Sequence, residues 1–143
     1  MAIPQRISIV TLGVSNLPAS VAFYEALGWE QAGASNGEIA WFKTSDSVLG
    51  LFPVDELAKD ADVPVPAYRQ FRGVTLAINV ESEALVDACM AEAEAAGATI
   101  TRPAERVEWG GYRGYFTDPD GHSWEVAFNP FFPIQESGQV LVE

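Results

Sequence analysis

Apolar and polar residues alternate along "RISIVTLGVSN" as in a β-strand, and the spacing becomes helical in "LPASVAFYEALGW", where Val21, Tyr24 and Leu27 fall on one face. Asn16 and Pro18 supply start signals for that helix and Gly28 a stop, with Trp29 expected in the core just beyond it. The runs "EIAWFKT" and "SVLGLF", separated by the polar turn "SDS", read as strands, and a further strand is expected near Trp29 to Gly33. The first half therefore predicts a strand, a helix and then strands.

The second half repeats that order. "FRGVTLAINV" alternates, with Val74, Leu76, Ile78 and Val80 as its core row and Gly73, Thr75, Ala77 and Asn79 opposite. "ESEALVDACMAEAEAAG" places Leu85, Val86, Cys89, Met90 and Ala93 on one helical face before Gly97. Strands are expected near Ala98 to Thr101, Glu105 to Glu108, Tyr112 to Thr117 and Ser123 to Phe128. Val14 and Val80, Gly28 and Gly97, and Trp41-Phe42 and Tyr115-Phe116 recur at an offset of about 70 residues, as a duplicated unit with small loop insertions would.

The pattern thus predicts an α+β fold of two βαβββ modules within residues 1–143. Module 1 covers about 6–53 and module 2 about 72–130. The connection at about 54–71 is rich in Pro and Asp, with a short helix near Val54 to Lys59, and a tail follows at 131–143.

Composition narrows the partners. Lys and Arg number 8 against 20 Asp and Glu, a formal charge of -12 that opposes nucleic acid and anionic lipid, since both are bound through clustered basic residues. No apolar run is long enough to cross a bilayer, and no leader pattern opens the chain, so a cytoplasmic location is expected. Cys89 is the only cysteine, which excludes a disulfide framework, and its place on an apolar helical stripe suits a small core residue.

"VSNLPASVAFYEALGW", followed much later by "GYFTDPDGHSWEVAFNP", resembles the vicinal oxygen chelate superfamily, which includes glyoxalase I, extradiol dioxygenases and fosfomycin- and bleomycin-resistance proteins. The likeness runs from about Arg6 to Pro130. It implies paired βαβββ modules forming a curled, mostly antiparallel sheet around a concave cavity, a homodimer, and a metal held from the first and last strands of each module in those members that use one. Carried across by motif, the ligand positions are Ile9, Gly50, Thr75 and Glu125. Ile9 and Gly50 offer no side-chain donor, so no family-type metal or other cofactor is expected. His122, the only histidine, belongs to the turn before Glu125 and is expected to face away from it. A cation recruited by Asp118, Asp120 and Glu125 competes with a simpler account, because "DPDG" is a strong β-turn signature.

Strand parity leaves Ser123, Glu125 and Ala127 opposite the bulky Trp124, Val126 and Phe128. Small or polar residues on one face suit a small-molecule pocket, with Trp41, Thr75, Trp109, Tyr112 and Tyr115 as candidate ligand contacts. Glu125 is the candidate catalytic base or ligand acceptor, and Arg72 and Arg113 are its candidate partners. A structural ion pair, an enzyme of the lyase, isomerase or dioxygenase type, and a protein-interaction role for "NPFFPI" remain alternatives to pure binding, with Phe131 and Phe132 otherwise closing the core or a homodimer contact.

Overall fold

The computed structural model describes residues 2–143, and the chain divides into two compact units between Val65 and Pro66. The first unit contains β1 (Ile9–Val14), α1 (Leu17–Ala26), β2 (Ala40–Lys43), β3 (Val48–Pro53) and α2 (Val54–Ala61). The second contains β4 (Thr75–Asn79), α3 (Glu83–Ala95), β5 (Thr99–Arg106), β6 (Tyr112–Thr117) and β7 (Ser123–Phe128). The fold is α+β. The connecting stretch is shared, with α2 in the first unit and the residues from Pro66 in the second.

The sheets have strand orders β1-β3-β2 and β4-β7-β6-β5. In each, the first strand lies parallel to the last, and the other pairings are antiparallel. A parallel pair needs a long crossover, which α1 begins in one unit and α3 in the other. Asn16, Gly28 and Gly97 act as the expected helix signals, and Ser82 adds an unexpected N-cap. The Asn16 side chain accepts from the Ala19 N–H at 3.0 Å, Ser82 accepts from Leu85 at 3.1 Å, and both stops, Gly28 (φ +93) and Gly97 (φ +103), use the left-handed region that glycine enters without strain.

The strand expected near Trp29 to Gly33 is reduced to one bridge, Gln31 to Phe42. That segment lacks β-branched residues, and the Asn36 side chain turns the chain just beyond it, its Oδ1 accepting from the Glu38 and Ile39 N–H groups. Conversely, the two short strands expected around Ala98 to Glu108 are one strand, β5, whose register shifts between Ile100 and Arg102 and again before Glu105. Pro103 lies inside that interval and has no N–H for a regular ladder.

In the first unit Leu12, Val14, Phe42, Leu49 and Leu51 are buried, as are Phe23 and Tyr24 of α1. The Tyr24 ring lies 5.0 Å from Phe23, 6.0 Å from Phe42 and 5.7 Å from the half-buried Trp29. The buried stripe of α1 is Ser20, Phe23 and Tyr24 rather than Val21, Tyr24 and Leu27. Rotation by one residue buries two aromatic rings and leaves Val21 and Leu27 on the flanks.

In the second unit Val86, Met90 and Ala93 of α3 are buried, as are Phe116, Trp124 and Val126 of the sheet. Leu85 is exposed and Cys89 half-buried, at the edge of the stripe; burial, reinforced by Glu92 and Glu81, pushes the Cys89 thiol pKa up. Val74 is 61% exposed, because β4 starts only at Thr75 after Gly73 (φ +77), so the core row on this strand begins at Leu76. Phe131 is also exposed, with its ring beside Gly110, and the tail forms a small bridge between Ile134 and Val140. Among the described residues, no helix is long and apolar enough to cross a membrane.

Ser20 is fully buried on α1, and its hydroxyl has no hydrogen-bond partner. Ser20→Ala should therefore stabilise the protein by about 1 kcal/mol, through relief of a desolvated hydroxyl and better helix propensity. The check is a higher urea midpoint at unchanged slope. A lower midpoint would show that the hydroxyl is satisfied in solution.

Candidate functional site

Each sheet presents one face to its helix and one away from it. On β6 a Cβ at Gly114 would meet Met90 of α3 at 2.8 Å, and the Phe116 and Trp124 rings stack at 6.4 Å in the same layer. Alternation then places Arg113, Tyr115 and Thr117 of β6, with Ser123, Glu125 and Ala127 of β7, on the face turned away from α3, where Thr117 and Ala127 are buried and the other four half-buried.

Register assembles that face into rows. Ala77, Glu125, Tyr115 and Arg102 are successive cross-strand partners, and Asn79, Ala127, Arg113 and Glu105 form the row beside them. The β5 irregularity puts Arg102 and Glu105 within these two rows, and they meet there: Arg102 Nη2 lies 3.0 Å and Arg113 Nη1 3.4 Å from the same Glu105 oxygen. Hydrogen bonds from both arginines hold the Glu105 pKa below the ordinary carboxylate value.

Glu125 is half-buried and accepts a hydrogen bond from the Tyr115 hydroxyl at Oε2, 3.1 Å away. The Arg113 guanidinium lies 5.7 Å from the centre of the Tyr115 ring, a cation–π contact. Arg113 therefore reaches Glu125 only through the tyrosine it stacks on. Its own ion-pair partner, Glu105, could have been sought in sequence, because Pro103 between Arg102 and Glu105 announces the irregularity that brings them to one face.

The other candidate residues lie elsewhere. The Tyr112 hydroxyl donates to Asp87 of α3 at 2.6 Å, on the helix side of the sheet; that hydrogen bond, then burial, raises its pKa. Trp109 is 49% exposed in the β5–β6 loop and folds over Gly111. Arg72 donates to the Asp120 carbonyl at 3.5 Å and to His122 Nδ1 at 2.8 Å, rather than pairing with Glu125. In the first unit Trp41 lies over Gly50, where a Cβ would fall 2.7 Å from the ring, and Thr11 is their neighbour on that face.

The turn before β7 is tightly tied. Asp118 Oδ1 accepts from the N–H groups of Asp120 (3.0 Å) and His122 (2.9 Å), while Tyr68 and Arg69 donate to the Pro119 carbonyl. The carboxylates that suggested a cation site include one that closes its own turn, and Asp118 and Asp120 are both buried. Of the four family ligand positions, Ile9 is exposed on β1, Gly50 lies under Trp41, Thr75 is exposed on β4, and Glu125 alone carries a carboxylate. Among the described residues, no group of three or more His, Cys, Asp or Glu side chains is placed to hold a metal ion.

Burial, followed by the Glu125 charge and hydrogen bond, raises the Tyr115 pKa above its ordinary value of 10.0. A raised folded pKa means the folded state keeps this proton longer, so the associated stability is present below about pH 10 and is lost as pH rises past the folded pKa. The tyrosinate absorbance lost in Tyr115→Phe should therefore appear above pH 10, and Glu125→Gln should move it downward. No movement would show that the carboxylate does not act on the phenol.

The sequence model of the Glyoxalase/Bleomycin resistance protein/Dioxygenase superfamily matches residues 6–126. Among solved structures, a glyoxalase-related enzyme from Fulvimarina pelagi is 39% identical, with a TM-score of 0.89 over 97% of this chain and 99% of that one. A lactoylglutathione lyase from Agrobacterium tumefaciens is 28% identical, with a TM-score of 0.67 over 89% of this chain and 96% of the other. A glyoxalase/bleomycin resistance protein/dioxygenase from Nocardioides is 25% identical, with a TM-score of 0.75 over 90% and 85%. No match was found among curated proteins. A family match over most of the chain, joined to an α+β fold of two sheets and to the 39% identical structure that covers nearly all of it, makes this protein a member of the Glyoxalase/Bleomycin resistance protein/Dioxygenase superfamily.

Proposed function

We propose that the protein binds a small organic molecule on the open face of its second sheet, without a metal ion, and works as a homodimer in the cytoplasm. The observation that carries this reading is the Tyr115–Glu125 hydrogen bond. At the one family ligand position with a carboxylate, a phenol already engages one oxygen, and the cross-strand neighbour on the other side is Ala77. A divalent ion asks for three or four converging donors, and a lone carboxylate does not fit it. The arrangement suits a hydrogen-bond acceptor held in a fixed rotamer for a ligand.

Enzymatic use of the same carboxylate has support from the 39% identical relative, which is named a glyoxalase-related enzyme. In that version Glu125 takes a proton from a bound substrate through Oε1, while the Tyr115 hydroxyl holds Oε2 and fixes the carboxylate's orientation. Binding is common to both versions; proton abstraction belongs only to the second.

A library of small organic fragments screened by amide NMR in the presence of EDTA should give hits clustered on β6 and β7, centred on Tyr115 and Glu125. Hits scattered away from this face, or binding that requires an added divalent ion at one per chain, would overturn the proposal. For any turnover found, Glu125→Gln should lower kcat at least 100-fold if the carboxylate is the base.

A further inference from the structure

Glu125 carries a charge that the fold does not answer. It is half-buried, and none of the ion pairs among the described residues includes it. The cations that could have paired with it are committed elsewhere: Arg102 and Arg113 share Glu105 at 3.0 and 3.4 Å, and Arg72 donates to His122 at 2.8 Å. The Tyr115 hydroxyl holds Oε2, whereas Oε1 accepts no hydrogen bond from the fold. Nor is Oε1 sealed in, since the buried side-chain oxygens without a partner are, among the described residues, those of Ser20 and Thr117. A carboxylate partly withdrawn from water and lacking a counter-charge is costly, and a cation that reaches it offsets that cost.

The neighbours of Glu125 set the side from which a ligand comes. Its cross-strand partner on β6 is Tyr115, and its partner on β4 is Ala77, which is exposed. Thr75, two residues before Ala77 and on the same face, is exposed as well. A methyl group fills little of the space beside Glu125, so the β4 side is open to a ligand while the phenol closes the β6 side.

We infer that this site takes a small organic cation, a protonated primary amine whose N–H groups donate to Glu125 Oε1 while its carbon body lies over Ala77. The inference rests on the small-molecule reading above and adds the charge class of the ligand. An ammonium donating to a carboxylate makes a charge-assisted hydrogen bond, about twice as strong as a neutral one. Arg113 opposes it weakly, because its guanidinium stands 5.7 Å from the centre of the Tyr115 ring with Glu105 beside it. Coulomb energy falls with distance, so contact at hydrogen-bond length outweighs that repulsion. An anion at Oε1 would be repelled, and a neutral hydroxyl would gain the hydrogen bond without the charge. The chain's 20 Asp and Glu against 8 Lys and Arg add a field that gathers cations.

The test compares benzylamine, benzyl alcohol and benzoate, alike in size and different in charge, at neutral pH and equal ionic strength, read from amide shifts of the whole protein. Benzylamine should move the signals of Ala77, Tyr115 and Glu125, bind at least tenfold more tightly than the other two, and weaken as salt is added. Glu125→Gln should weaken benzylamine at least tenfold while leaving benzyl alcohol within about threefold, which separates a lost charge from a disturbed fold. Ala77→Leu, with the carboxylate intact, should also weaken benzylamine at least tenfold by filling the approach. Equal or tighter binding of benzyl alcohol or benzoate, benzylamine shifts mapping elsewhere, or unchanged benzylamine affinity in either variant would each overturn the inference. Fragment hits on this face without a preference for the amine would remove the charge class and leave the small-molecule reading standing; a face silent to fragments and amine alike would remove both.

Discussion

A β-sheet has two faces, and each module of this protein has one crossover helix with which to cover them. That imbalance governs the architecture. The parallel pairing of β1 with β3 and of β4 with β7 requires a crossover, and the crossover helix buries one side of its sheet. Alternation then sends every second residue to the other side, where nothing in the helical packing constrains it. In the second module Phe116, Trp124 and Val126 are committed to the core, while Tyr115 and Glu125, one position away, are only half-buried and turn to the other face.

The fold was largely readable because this division is periodic. Strands β6 and β7 have the bounds their alternation implied, and Asn16, Gly28 and Gly97 punctuate the helices as their residue types suggested. What escaped depended on nonlocal packing or on backbone irregularity. The rotation of α1 toward Ser20 and Phe23 is decided by which rings fit the Leu49 and Phe42 layer, and no helical spacing states that. Pro103 merged two expected strands into one by shifting register rather than breaking it.

The site was legible to a lesser degree. Parity placed Glu125 opposite the core row and the module repeat singled out Tyr115, but Arg72 and Arg113 stood as equal candidates to partner the carboxylate. Tertiary structure parts them: Arg72 is drawn to His122 and the Asp120 carbonyl by the path of the connecting chain, whereas Arg113 pairs with Glu105 across the bulged ladder. Tyr112 was a candidate because, with Trp109, it flanks Gly110 and Gly111, but its position on β6 turns it to Asp87.

The tie between the connecting segment and the turn before β7 bears on how these sequences can diverge. Tyr68, Arg69 and Arg72 donate to the carbonyls of Pro119 and Asp120, so they grip the shape of the main chain there. Gly121 stands at φ +83, and a Cβ on it would lie 3.0 Å from the Arg69 backbone. Position 121 is thus locked by both its dihedral angle and its neighbour, whereas the side chain at 119 is read by none of these contacts. Sequence drift in this turn has a narrow channel: the identity at 119 can change while the loop's curvature stays fixed.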